Sequence, residues 1–264
     1  VFKLKHSVLA LAILPLAGAA SAAQLDLVGD FGASAFAYGS GNFSGATPSF
    51  TAFQSHYSDC FNVSGLNCVT SGPSGATPGS SNLPGIGLGQ GALNFITVNV
   101  PADTLWAHPG NSADADAVIR FTAQAAGLYT LDGLFSRLDN MTSGSNDPGN
   151  NGVSVAIYQT TGSVTSEIWS SSALAGAGVT EGTTASYDFS ALLGAGDILS
   201  YVVNYNGNYY NDSTGLRGTI SFSPGGNDAG VGSVPEPASW AMMLGGFGVI
   251  GGTLRRRQRV ISFG

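Results

Sequence analysis

The chain has 264 residues, 39 of them glycine and only 9% charged, with nine Lys and Arg against sixteen Asp and Glu for a formal net charge of −7. Six of the nine bases stand near the ends, at Lys3, Lys5, Arg255, Arg256, Arg257 and Arg259, so the stretch Ala23–Val234 keeps Arg120, Arg137 and Arg217 beside fifteen carboxylates, a formal −12. With no lysine and no basic stripe, that stretch lacks the electrostatic footprint of a nucleic-acid binder, and glycine with many Ser, Thr, Asn and Ala favours a turn-rich extracellular all-β protein over a helical one.

Lys3 and Lys5 precede an apolar stretch from Val8 to Ala19, and Ala20-Ser21-Ala22 supplies the small residues a signal peptidase accepts. Residues 1–22 therefore read as a cleaved signal peptide, since a transmembrane anchor would want a longer apolar run. The mature chain is expected to begin near Ala23, outside the cytoplasm. Residues 23–224, about 210 with the linker that follows, suffice for one sandwich core.

The only cysteines are Cys60 and Cys68. In an oxidising compartment so close a pair closes a local disulfide loop, and a two-thiol metal site competes poorly because no histidine follows at ligand spacing. Gly72 to Gly91, with Gly-Pro, Thr-Pro-Gly and Leu-Pro-Gly, reads as an extended loop, and Asn94 to Val100 resumes as a strand. Asp114 and Asp116 stand just before the next strand and, with Asn146 to Asn151, offer the oxygens Ca²⁺ accepts; neither cluster has a regular Ca²⁺-loop spacing, and turns use the same residues.

Strand patterns concentrate after this point. Ala117 to Ala123 puts Ile119 and Phe121 on one face with Val118, Arg120 and Thr122 on the other. Leu128 to Phe135 turns Tyr129, Leu131 and Phe135 inward, and Val153, Val155 and Ile157 alternate after the loop Ser143–Gly152. Thr165–Trp169, Ser186–Ser190, Asp197–Tyr205 and Gly218–Phe222 follow, with Leu199, Tyr201, Val203 and Tyr205 sharing one face. Short strands at this spacing favour a single β-sandwich.

Catalysis finds little support. Past the signal peptide only His56 and His108 remain, and no Gly-x-Ser-x-Gly elbow or His-x-x-x-His pair occurs. His108, before Pro109-Gly110, is a turn or packing histidine more simply than a catalytic base. Asn204 to Ser213 interleaves Tyr205, Tyr209 and Tyr210 with amides. Tyr209, Tyr210, Asn211 and Asp212 would suit sugar recognition, because aromatic faces stack on pyranose rings while amides and carboxylates bond hydroxyls. The alternative is a polar loop with Tyr205 pointing into the core and Tyr209 or Tyr210 exposed.

At the far end Val234-Pro-Glu-Pro-Ala238 leads into an apolar run to Leu254 and then Arg255-Arg256-Arg257. The run of about 17 residues is near the lower limit for spanning a bilayer core, and the arginines hold its end on the cytoplasmic side. Residues 225–234 read as a Gly-rich linker, 235–259 as the membrane-directed signal and 260–264 as a tail. Pro235-Glu236-Pro237, the glycine-broken segment Trp240 to Ile250 and the stop at Arg255, Arg256 and Arg257 together resemble the PEP-CTERM sorting signal of Gram-negative envelope proteins.

That resemblance implies recognition by an exosortase, a membrane transpeptidase, after signal peptidase has acted at the other end. The protein would be anchored transiently in the inner membrane and then reach the cell surface or medium. Phe36-Ala-Tyr-Gly39, Leu105-Trp-Ala-His-Pro-Gly110, Ala117 to Thr130 and Asn211-Asp-Ser-Thr-Gly215 are similar to the sandwich module common in PEP-CTERM proteins, whose topology is jelly-roll-like. The segment around Cys60 and Cys68, residues 54–91, departs from it as an inserted loop region. The expected function is that of a secreted, non-catalytic surface or matrix component in a setting of exopolysaccharide and biofilm, without a cofactor. The alternatives are a carbohydrate-binding module, with polysaccharide as partner, and a secreted hydrolase, which would need clustered carboxylates in a deep cleft.

Overall fold

The computed structural model describes residues 24–224 apart from 46, 72–83, 141–150, 177–178 and 208. The chain divides into two compact units, Val1–Pro224 and Gly225–Gly264, of which the second lies outside the described residues, as do the expected signal peptide and apolar C-terminal run. Among the described residues no helix is long and apolar enough to cross a membrane.

Sixteen strands make up the described part: β1 (Gln24–Asp26), β2 (Phe36–Gly41), β3 (Thr51–Ala52), β4 (Ser55–Tyr57), β5 (Leu66–Thr70), β6 (Gly85–Gly89), β7 (Leu93–Phe95), β8 (Val98–Val100), β9 (Leu105–His108), β10 (Asp116–Thr122), β11 (Gly127–Arg137), β12 (Val155–Thr161), β13 (Val164–Ser171), β14 (Thr184–Leu193), β15 (Ile198–Val203) and β16 (Thr214–Ser223). The first sheet runs β14-β11-β16-β9-β6-β5-β4, with β1 also paired to β16. The second runs β13-β12-β15-β10-β2-β3, and β7-β8 form a separate hairpin. The pairings are antiparallel, as expected where turns rather than helices connect strands.

Alternation explains how the sheets meet. In β11, Tyr129, Leu131 and Phe135 are buried, and in β10 and β15 so are Ile119, Phe121, Leu199, Tyr201 and Val203; all belong to one core cluster drawn from both sheets. The rings of Phe121 and Tyr129 lie 5.7 Å apart across it and those of Tyr187 and Tyr201 5.9 Å apart. Each such side chain contributes roughly 1.5–3 kcal/mol by leaving water, which makes this two-faced burial the main force holding the sandwich.

The second sheet is also partly covered on its outer face. Val118 and Val202 point away from the core yet are buried, because the segment between β2 and β3 folds over them with Phe43 and Phe50. Arg120, on the same face, lies 4.0 Å from the centre of the Phe50 ring, a cation–π contact that suits a guanidinium short of water.

Three sequence expectations are corrected. Within the expected loop Gly72–Gly91, residues Gly85–Gly89 form β6, paired on both sides by β5 and β9. Its alternate glycines hid the strand pattern, and packing accounts for them: a Cβ on Gly85 would come within 3.1 Å of the Trp106 ring, and one on Gly87 within 2.9 Å of the Asn67 carbonyl. The expected inserted region 54–91 thus supplies β4, β5 and β6 to the first sheet, with Val69 and Ile86 in the main core. The single strand expected over Asn94–Val100 is instead the β7–β8 hairpin, turned at Ile96, whose φ of 52° is left-handed. The fold back lets Phe95 and Leu93 pack with Val98, Val100, Trp106 and Leu138.

Candidate functional site

Among the described residues, Phe43 and Phe50 cover one part of the second sheet's outer face and leave a hollow beside it. There a groove of about 760 Å³ has Ala156 of β12, Val202 of β15 and the Tyr158 ring along its floor. Phe43 and Ser44 form one wall, Ser170, Ser171 and Ser172 the other, and Asn204 and Asn206 close one end. The register explains the convergence. Val202 faces Ala156, which faces Ser170; Ser200 faces Tyr158, which faces Glu167. Alternation puts these rows on one face.

Tyr158 is held from two sides. Its ring lies 5.0 Å from that of Phe43, and its hydroxyl stands 3.2 Å from both the Phe43 carbonyl and a Glu167 carboxylate oxygen, to which it donates. Burial, followed by the charge of Glu167, pushes the phenol up to about 12, so it remains a donor at any physiological pH. The hydroxyls of Ser154, Ser170 and Ser172 make no hydrogen bond to any described residue. An apolar floor, one aromatic ring and free hydroxyls give a surface that can receive an amphipathic polar ligand.

Asp116 fixes both ends of this arrangement. Its side chain, 0% exposed, accepts 2.9 Å hydrogen bonds from the Phe43 amide and the Tyr205 amide, one on each carboxylate oxygen. Burial pushes its pKa up to about 6, against the pull of those two bonds and one from Asn204, with the charge of Asp114 adding to the rise. Asp114 is exposed and accepts from the Asn42 amide at 3.0 Å. The Ca²⁺ candidates therefore differ in role: Asp116 is occupied as a backbone latch. Among the described residues no three His, Cys, Asp or Glu side chains gather as a metal site. Asn146–Pro148 and Gly149–Asn150 lie outside the described residues, while Asn151 packs against the turn at Asn206.

In the tyrosine–asparagine segment Tyr210 is exposed and Tyr209 is not, as the polar-loop expectation has it, but Tyr205 does not point into the core. Tyr205 lies past the end of β15 and is only half-buried, its hydroxyl 3.4 Å from Asn111 Oδ1, so it does not continue the inward series of Leu199, Tyr201 and Val203. The chain leaves the strand because Asn204 accepts from the Asn206 amide at 2.7 Å in a local turn. Tyr209 is 9% exposed and Tyr210 49%, their rings stacked 4.4 Å apart. Tyr209 thus hides one face of Tyr210 and is itself covered, and Asp212 is buried beside Arg137 and Thr214. The four candidate glycan residues do not form a shared exposed platform.

His108 lies at the end of β9, its ring 5.9 Å from Trp106 and 6.4 Å from Tyr209. Burial holds its pKa below the ordinary value, and the Asp139 carboxylate works against that shift. Asp139 itself is occupied by Thr97 Oγ1 at 3.0 Å and the Ser213 amide at 2.6 Å. His56 is exposed on β4. Cys60 and Cys68 are joined as a disulfide and share a small buried cluster with Leu66. On the outer face of the first sheet a second groove of about 740 Å³ is lined by Asp26, Asp103, Asp132 and Asp188, all exposed, with Arg217 paired to Asp103 at 2.9 Å.

Residues 233–258 match the family model of the PEP-CTERM protein-sorting motif. The chain carries that sorting signal. Pro235, Glu236, Pro237, Arg255, Arg256 and Arg257 all fall within the matched stretch, which lies outside the described residues. A PEP-CTERM motif is processed by an exosortase, so the chain is an exported, exosortase-sorted surface protein, held at the membrane before processing. No curated protein matches the chain.

Among solved structures the chain is similar to a mutant of a family 29 carbohydrate-binding module, at 12% identity over 56% of this chain and 92% of that one, with a TM-score of 0.30. It is also similar to an adhesin domain of Lys-gingipain from Porphyromonas gingivalis, at 11% identity over 65% of this chain and 100% of that one, with a TM-score of 0.29. A third is an Arthrobacter globiformis isomalto-dextranase complexed with panose, at 11% identity, 76% and 32% coverage and a TM-score of 0.26. Sequence reasoning missed the groove residues Tyr158, Glu167 and Ser170. Tyr158 breaks the apolar alternation of β12, but nothing local shows that Phe43 packs against it.

Proposed function

We propose that the chain is a non-catalytic surface or matrix protein with a jelly-roll-like sandwich, delivered by signal peptidase and exosortase into an exopolysaccharide or biofilm setting, and needing no cofactor. The single observation that carries the sorting part of this reading is the PEP-CTERM match over residues 233–258. The absence of catalysis is supported by how the candidate groups are used. Asp139 accepts hydrogen bonds from Thr97 and Ser213, and the His108 ring is packed against Trp106 and Tyr209, so both groups are engaged inside the fold. The carboxylates of the first-sheet groove are exposed to water, whereas glycoside hydrolysis uses a carboxyl pair facing each other across a sheltered cleft.

Fractionation of cells with and without their exosortase tests the reading. With the enzyme, the protein should leave the membrane fraction for the surface or medium; without it, the protein should stay in the membrane. Release that does not depend on the exosortase contradicts the proposal.

A further inference from the structure

We infer that the groove on the outer face of the second sheet binds a segment of neutral polysaccharide, with the Tyr158 ring under the sugar's C–H face and the serine hydroxyls and Glu167 on its hydroxyls, above a floor closed by the buried Ala156 and Val202. The inference rests on the reading of the chain as an exported surface protein, and it names the ligand class and the site.

Three observations carry it. First, the groove combines an apolar floor with polar rims, so a purely apolar ligand would leave the hydroxyls of Ser154, Ser170 and Ser172 without partners, whereas a sugar ring offers both faces. Each serine hydroxyl can donate and accept, and Glu167 accepts, which matches sugar hydroxyls that also do both. Second, the face is long enough. Ser154, Ala156 and Tyr158 follow one another in steps of two residues, about 13 Å in all, beside Ser172, Ser170 and Glu167 of the edge strand, where a bulge at Ile157/Tyr158 separates the pairs Ala156–Ser170 and Tyr158–Glu167, so a chain of sugars can lie along the strands. Its volume of about 760 Å³ is within the range of ligand sites. Third, among the described residues of the lining the only charged group is Glu167, and the stretch Ala23–Val234 is formally −12, so anionic polymers are repelled.

The floor is also preorganised. Asp116 holds the Phe43 side through one backbone bond and the Asn204–Tyr205 end through another, so both boundaries are set before a ligand arrives.

Affinity electrophoresis of the protein as cells export it, in gels containing dextran, hydroxyethylcellulose or galactomannan and in gels containing alginate, tests the proposal. Retardation is expected in at least one neutral gel and not in alginate. Ser170→Trp fills the groove from an exposed edge position and should abolish retardation. Tyr158→Ala should weaken it at least tenfold. Ser186→Trp, in the first-sheet groove, should leave it unchanged. Retardation in no neutral gel or in alginate alone overturns the proposal, as does retardation lost with Ser186→Trp but kept with Ser170→Trp. Because Tyr158 packs on Phe43, the Ser170→Trp result decides if Tyr158→Ala fails to fold. A protein that is cleaved and released normally but is not retarded refutes the groove and leaves the sorting reading standing; one that is retarded but never processed does the reverse.

Discussion

Asp116 shows how one side chain can organise a surface it does not reach. It stands at the start of β10 where the chain enters the second sheet, and its two oxygens tie down Phe43 on one side and Tyr205 on the other. Its burial has a measurable consequence. The carboxyl titrates near 6 in the fold against 3.8 unfolded, so between those values the native state holds a proton that the unfolded chain has released. Stability from this group therefore falls as pH rises from about 4 to about 6, and above 6 the penalty, on the order of 2–3 kcal/mol, is fully present. Asp116→Asn removes the titration. Denaturant unfolding at pH 4, 5, 6 and 7 should show wild type gaining on the variant as pH falls from 6.5 to 4; a flat or opposite difference contradicts the assignment.

At the scale of the element, the disulfide and the strands around it test whether the first sheet has a separable edge. Cys60, Leu66 and Cys68 form a small buried cluster with Tyr57, Val63, Leu93 and Phe95 around it, apart from the main core. Replacing both cysteines with serine should cost roughly 2–3 kcal/mol locally, by loop-closure arithmetic for so short a loop. Hydrogen exchange should then quicken in β4 and β5 while β11 and β15 keep their protection. Equal loss of protection in β11 would mean that the disulfide holds the whole core.

The same elements show what a sequence can and cannot disclose. β10, β11 and β15 alternate cleanly because one face meets the opposite sheet, and their burial in the main core follows the expected faces at Ile119, Leu131 and Leu199. β6 was illegible because its glycines answer to Trp106 and β5, residues distant in sequence. Tyr205 kept the spacing of an inward series but lies past the strand's end, where the Asn204 turn redirects the chain. The groove was out of reach for the same reason: Phe43 and Tyr158 are 115 residues apart, and the sheet order, with β15 between β10 and β12, brings the segment after β2 against the β12 residue.

At the scale of the whole molecule, the chain joins two kinds of information. The sandwich is specified by burial on both sides of its sheets, whereas the sorting signal is a linear text read by an enzyme in a membrane, and so was legible as sequence: Pro235 to Pro237, the apolar run and Arg255 to Arg257 in order. The first determines what the exported part can hold; the second determines where it goes. The most direct measurement of the account is the intact mass of the protein recovered from outside an exosortase-positive cell. The predicted result is a C-terminus near Pro235–Pro237 with Arg255, Arg256 and Arg257 lost. An exported protein that still ends in the intact stretch Arg255–Arg259 and beyond would contradict it.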